Sequence, residues 1–434
     1  MGCGESLHHK EITFMLKVPH YAEPFSVHVV LPGASRAPSH HFSLVETSLK
    51  IEYNTCSLWA GSVASAPPCI MFVHLRWEEH AMAVKESVLG TLKDGREVKR
   101  YTITNQHGTE ASFTNLGAIW LTMLVRDKDG NMRDVVLGVD QAELLLANPG
   151  HMGEPVGRNA NRIGQAGFDL GGKHYALAVN DHGVNNLHSG PDYWRSRIWD
   201  ADYADAGLGS YVIFSLHSPD GDQGFPGAAE VAVTYTLTED DSLEIHYQAT
   251  ADQDSVFNMT NHAYFNLNGY DSGDAMNQRV WINADAYTPA SEISIPYGRI
   301  EPVAGTPMDF TTEKVIARDI NADFDQLKFA NGFDHNWVLN DYDGDVRLVA
   351  SAYAEESGIK MSVYTDLEGM QFYTANFMNG DFEGKNGAHF GPRHAYCFET
   401  QHYPDCLHKP EWPTSIVKAG EEYDTTTIYK WELQ

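Results

Sequence analysis

The chain of 434 residues carries 30 Lys and Arg against 59 Asp and Glu, a formal charge of −29 at pH 7. Hydrophobic residues at 42% and aromatics at 11% suffice for a large buried core and exclude global disorder. So acidic a balance argues against sequence-independent nucleic-acid binding, which runs on clustered Lys and Arg, and no apolar run approaches the roughly 20 residues of a membrane-spanning helix.

In chain order, the opening segment differs from the rest. Residues 1–81 contain no Asp, the first being Asp94, and their apolar clusters (Val27 to Leu31, Ile70 to Leu75) are short and disconnected. This composition step predicts an N-terminal extension over residues 1–83, poorly ordered and outside the catalytic unit, followed by one functional domain over 84–434. Met1-Gly2-Cys3-Gly4-Glu5-Ser6 fits the short N-myristoylation pattern, but no polybasic patch follows it, so no membrane partner is expected. The segment also lacks the basic start, apolar stretch and cleavage site of a secretory signal, which makes the cytoplasm the expected compartment. The five cysteines (Cys3, Cys56, Cys69, Cys397 and Cys406) are scattered and odd in number, unlike a disulfide framework.

From Val84 onward the pattern is hairpins and turns. Val233 to Leu237 and Leu243 to Tyr247 alternate around the polar turn Glu239-Asp240-Asp241-Ser242, and Arg347 to Tyr353 and Ile359 to Thr365 do the same around Glu355-Glu356-Ser357-Gly358. Gln371 to Asn376 and Tyr396 to Gln401 read as further strands. Helical signals are few: Asp140 is expected to cap a short helix over Glu143 to Ala147 that Pro149-Gly150 stops. The fold expected is all-β, one large antiparallel β-sandwich with few short helices.

No phosphate-binding loop, dinucleotide fingerprint or His-Glu-x-x-His occurs. Cys397, His402, Cys406 and His408 fit no standard zinc spacing, so neither metal nor cofactor is expected. Asn258-Met259-Thr260 is a glycosylation sequon of little meaning in a cytoplasmic protein. More informative are polar residues set in turn-rich or apolar sequence. Gly157-Arg158-Asn159-Ala160-Asn161-Arg162 puts two guanidiniums and two amides beside a turn, a donor set suited to neutral polyols but also to a loop held by salt bridges. Asn185-Asn186-Leu187-His188 and Asn261-His262-Ala263-Tyr264 each place a His among amides, where a lone His is more often structural. Cys397, Glu399 and Gln401 share one face of their strand and Tyr396 and Phe398 the other, so Glu399 is a carboxylate that must be paired or put to use.

Taken together, the stretches around Arg162, His188, His262, Asp334, Gln371 and Glu399, in that order, resemble the aldose 1-epimerase (galactose mutarotase) family. The resemblance runs from Leu89-Gly90 and Asp94-Gly95 through Asn115-Leu116-Gly117-Ala118 and Val135-Val136-Leu137-Gly138. It continues in Gly332-Phe333-Asp334-His335-Asn336 and Gly369-Met370-Gln371-Phe372-Tyr373-Thr374, and ends at Gly420-Glu421-Glu422-Tyr423. It implies a galactose mutarotase-like supersandwich and an isomerase that interconverts the α and β anomers of free hexoses such as galactose and glucose. It further implies Glu399 as base, His262 as acid and His188 as a donor near the ring oxygen, with Asn161, Arg162, Asp334 and Gln371 orienting the sugar. The expected partner is a small aldose, and the expected state a monomer or homodimer. Three other readings stand beside it. A non-catalytic carbohydrate-binding sandwich would need no Glu–His pair, a hexose-6-phosphate epimerase would need a cationic pocket, and a glycosidase would need two carboxylates, castable as Asp334 and Glu399.

Overall fold

The computed structural model describes residues 11–16, 25–30, 83–206, 209–381 and 383–434. The chain divides into two units, Met1–Arg76 and Trp77–Gln434. In the first, Glu11–Leu16 pairs antiparallel with Phe25–Val30. The other expectations for residues 1–83, the Gly2-Cys3 acylation pattern among them, lie outside the described residues.

Three large antiparallel sheets build the second unit. A nine-stranded sheet runs in the order Asp200–Ala206, Gly209–Ser218, Ala229–Thr238, Ser242–Ala251, Glu422–Leu433, Ile359–Thr365, Arg347–Ala354, Arg279–Ile282, Lys314–Val315. Both hairpins expected from the alternation lie in it, at the Ala229–Thr238/Ser242–Ala251 and Arg347–Ala354/Ile359–Thr365 pairs. Alternation works because successive side chains point to opposite faces: Val231, Val233, Tyr235 and Leu237 are buried while the residues between them are half-buried. The second sheet joins Ala83–Thr91, Glu97–Thr104, Glu110–Thr114, Trp120–Arg126 and Met132–Asp134. The third has the order Glu301–Pro302, Ala286–Thr288, Asp334–Val338, Gly369–Tyr373, Cys397–Gln401.

One core cluster takes side chains from all three sheets. Phe113 stacks on Tyr235 at 4.2 Å, and the Tyr235 hydroxyl donates to the Ala118 carbonyl. Tyr429 of the central C-terminal strand donates to the Phe398 carbonyl at 2.7 Å, tying the nine-stranded sheet to the third sheet. In the third sheet Trp337, Met370, Phe372 and Phe398 enter this core. The alternate residues of the same strands are therefore turned to the other face, where Asn336 pairs with Gln371 and Gln371 with Glu399 across the sheet.

Among the described residues the two α-helices are Ala142–Ala147 and Asp325–Ala330. The first is where the sequence places a helix, but its N-cap is Gln141, without a side-chain cap bond. Asp140 instead accepts from the backbone N–H of Asn386, so the expected Asp140 cap is corrected: a tertiary partner outcompeted the local one. No described helix is long and apolar enough to cross a membrane. Because every strand of the three sheets lies from Ala83 onward, a chain beginning at Met82 is expected to melt cooperatively at the temperature of the full chain. Insolubility or a lower melting temperature would mean that residues 1–81 complete the fold.

Candidate active site

A cleft of about 140 Å³ opens on the polar face of the third sheet and is lined by Asn161, Arg162, His188, His262, Asp334 and Glu399 together with Gly150, His151, Leu187, Tyr264, Tyr373 and Phe377. Each wall has a local cause. Strand register brings Asp334 opposite Tyr373, and Glu399 opposite Gln371. Two short ribbons supply the facing wall: Arg162–Ile163 pairs with Asn186–Leu187, and Thr260–Asn261 with Pro155–Val156. His188 and His262 directly follow these ribbons, so main-chain pairing sets where both imidazoles emerge.

His262 Nε2 lies 3.7 Å from Glu399 Oε2, and its Nδ1 faces the Cys397 thiol at 3.6 Å. His188 Nδ1 accepts the backbone N–H of Asn161 at 3.1 Å, which leaves a proton-bearing Nε2 for the cleft when the ring is neutral. Arg162 Nε donates to Asp181 Oδ2 at 3.1 Å. Gln371 is not itself in the lining. Its amide donates to Asp334 Oδ1 at 2.7 Å and braces that carboxylate from behind. Asn161, His188 and His151 all adopt left-handed backbone conformations, with φ of 59°, 53° and 63°. For residues other than glycine this costs on the order of 1–3 kcal/mol each, a strain that clusters at functional sites.

Burial moves the two central groups in opposite senses. Glu399 is raised well above the usual carboxylate value, by burial first and by Asp334 second, with Arg162 pulling it back. His262 is lowered to about 3, by burial and by His151, against Glu154. Burial also holds His188 well below its ordinary value. Asp334 is raised by burial, with Arg162 and Gln371 opposing.

The remaining sequence candidates resolve elsewhere. Arg158 is fully buried away from the cleft, where its guanidinium serves the Ser218 and Ser255 hydroxyls and the Pro226 carbonyl, so it is a structural brace rather than a polyol ligand. Asn258 is buried with both ends of its amide bonded to the His402 backbone, which closes the sequon to a glycan. Cys397, Cys406, His402 and His408 each meet a different partner: His262, Ser415, Glu368 and Asp405. The one metal-like grouping among the described residues is His188, His262 and Glu399, whose ligand atoms lie within 4.8 Å of one another. Sequence reasoning missed His151, Glu154, Tyr373 and Phe377. The His151-Met152-Gly153-Glu154 spacing, an imidazole and a carboxylate across one turn, was the available signal.

A polar cleft on one sheet of an all-β sandwich, with a buried carboxylate facing an imidazole, defines a protein built to bind a neutral hydroxylated molecule and move its protons. Comparison with known proteins narrows this class. The family model for aldose 1-epimerase matches residues 99–430. A galactose mutarotase of Bos taurus is 37% identical over 353 residues, covering 81% of this chain and 99% of that protein. An aldose 1-epimerase of Escherichia coli (strain K12) is 34% identical over 339 residues, covering 78% and 96%. A solved galactose 1-epimerase from Lactobacillus acidophilus NCFM superposes with a TM-score of 0.72 at 25% identity, covering 81% of this chain and 99% of that one. The chain belongs to the aldose 1-epimerase family and is an isomerase with the galactose mutarotase fold.

The raised Glu399 has a consequence for stability. Its folded pKa exceeds its unfolded value, so its favourable contribution is complete below the unfolded value near 4.3 and is lost as pH rises through the folded one. Glu399→Gln is therefore expected to melt at a higher temperature than the parent at pH 8, with the gap closing toward pH 4. A lower melting temperature at pH 8 would identify Glu399 as a structural group.

Proposed function

We propose that the chain interconverts the α and β anomers of free neutral hexoses such as galactose and glucose, with Glu399 as general base and His262 as general acid. The observation that carries this reading is the 3.7 Å approach of Glu399 Oε2 and His262 Nε2 in one cleft, with their proton affinities shifted in opposite directions. Anomerisation by ring opening needs one group to take the proton of the anomeric hydroxyl while another protonates the ring oxygen. The bond from C1 to the ring oxygen breaks, the aldehyde end rotates about C1–C2, and closure returns the protons with the roles exchanged. A raised carboxylate is a stronger base and a lowered imidazolium a stronger acid than either is in water, which suits both transfers. Before a sugar binds, these shifts favour a shared proton on Glu399. Sugar hydroxyls donating to the carboxylate would favour its ionised form and move that proton toward His262.

The surrounding groups fit orienting roles. His188 offers its Nε2–H near the ring oxygen, Asp334 accepts from hydroxyls, and Asn161 and Arg162 donate. Gln371 acts through Asp334. Phe377, 63% exposed at the mouth, offers an apolar surface for the C–H face of a pyranose. Arg162 and Arg195 are already committed to Asp181 and Glu154, which argues against a pocket made for a phosphate.

Polarimetry on freshly dissolved α-D-galactose and α-D-glucose tests the reading directly: equilibration no faster than buffer would refute it. Glu399→Gln and His262→Asn are each expected to lose at least about a hundredfold in kcat, the scale of a general acid or base. Near-parent turnover in either folded variant would remove that residue from its role. Free galactose or glucose is expected to be used much better than its 6-phosphate at both low and moderate salt, and preference for the phosphate at both would favour the hexose-6-phosphate reading.

A further inference from the structure

The turn from Asn148 to Glu154 brings a third imidazole to the cleft, one that the proposed mechanism leaves idle. His151 lines the cleft with its ring centroid 4.8 Å from that of His188 and 5.9 Å from that of His262. Its Nδ1 is bonded to the carboxylate of Glu154, which is 3% exposed, and Arg195 Nη1 stands 3.1 Å from that Nδ1 and 3.4 Å from both carboxylate oxygens. Burial pushes Glu154 up, but His151 and Arg195 outweigh it and keep the carboxyl below its ordinary value, so it stays ionised. The Asn148 amide contacts its second oxygen at 3.3 Å. Arg195 in turn packs over the Tyr193 ring at 4.0 Å.

This assembly is built onto the candidate acid. Gly153 N–H donates to the His262 carbonyl, and His262 N–H to the Glu154 carbonyl, both at 3.0 Å. His151 is thus fixed relative to His262 by main-chain bonds, at the cost of a left-handed backbone. With Nδ1 engaged by Glu154 and Arg195, Nε2 is the ring atom left without a partner among the described residues. A carboxylate that orients an imidazole so that its far nitrogen meets a ligand is a recurrent device. A sugar hydroxyl, donor and acceptor at once, can pair with that nitrogen whether or not the ring is protonated.

We propose that His151, oriented by Glu154 and Arg195, is a specificity-determining residue that binds the 6-hydroxyl of a hexose. The inference rests on the anomerisation reading, because the position follows from it. Glu399 takes the C1 side of the ring oxygen, and His262 and His188 address the ring oxygen itself. The substituent next to that atom on the C5 side is the hydroxymethyl group, and His151 is the remaining polar group beside both imidazoles.

The test compares D-galactose with 6-deoxygalactose and 2-deoxygalactose, by calorimetric binding and by turnover, in the parent chain, His151→Phe and Glu154→Gln. The parent is expected to favour galactose over the 6-deoxy sugar by about tenfold in affinity, the scale of one buried hydrogen bond. His151→Phe should erase that preference while keeping discrimination against the 2-deoxy sugar, and Glu154→Gln should weaken it. No preference in the parent, a preference that survives His151→Phe, or one lost only for the 2-deoxy sugar would each overturn the assignment. The parent result needs no variant to fold. A parent that binds galactose with this preference but does not anomerise it would sink the proposed activity and leave the 6-hydroxyl contact standing.

Discussion

A carboxylate taken almost wholly out of water at the centre of a sheet is the constraint on which the site depends. Glu399 is 2% exposed on a strand whose neighbouring residue, Phe398, is fully buried in the main core. The strand cannot move to hydrate the carboxylate without withdrawing Phe398 and breaking the pairing with Gly369–Tyr373. Ionised, such a group is expensive unless something compensates it. Arg162 is the cation that pulls its pKa down, while Asp334 pushes it up. The environment therefore leaves Glu399 poorly compensated, a poor design for stability and a good one for a base.

The same logic extends outward. Around Glu399, four polar groups that reach the cleft are each held by a partner behind them. Arg162 is held by Asp181, Asp334 by Gln371, His188 by the Asn161 backbone and His151 by Glu154. Burial raises Asp181, but Arg162, His182 and Asn185 hold its carboxyl below the usual value, so the ion pair persists. Orientation is thus settled before a ligand arrives, which reduces the ordering cost of binding. Three left-handed non-glycine residues in the wall show that the fold accepts local strain to keep this geometry.

Fold and site were legible to different depths. The hairpin strands could be read because one face of each packs on a core, and burial imposes a period of two on the sequence. The face of Glu399 was readable for the same reason: Phe398 declares which side is apolar. Arg158 and Arg162, four residues apart in the same motif, could not be told apart. One ends among the hydroxyls and carbonyls of Ser218, Pro226 and Ser255, the other at the cleft beside Asp181, and that difference is made by tertiary partners far along the chain. Asp140 shows the converse error, since a plausible local cap lost to a residue 246 positions away.

By itself the amino-acid sequence determined an all-β chain with a polar set that matches, in order, a sugar-epimerising family. Alternation, turn residues and motif order are properties of neighbouring positions and survive without a structure. Tertiary structure decided that Glu399 and His262, 137 positions apart, meet at 3.7 Å, that Gln371 braces rather than lines, and that His151 enters the cleft. It also decided the sense of each proton-affinity shift. Those shifts arise from desolvation and from charges brought close by sheet register and loop closure, and neither is a property of any short stretch of chain.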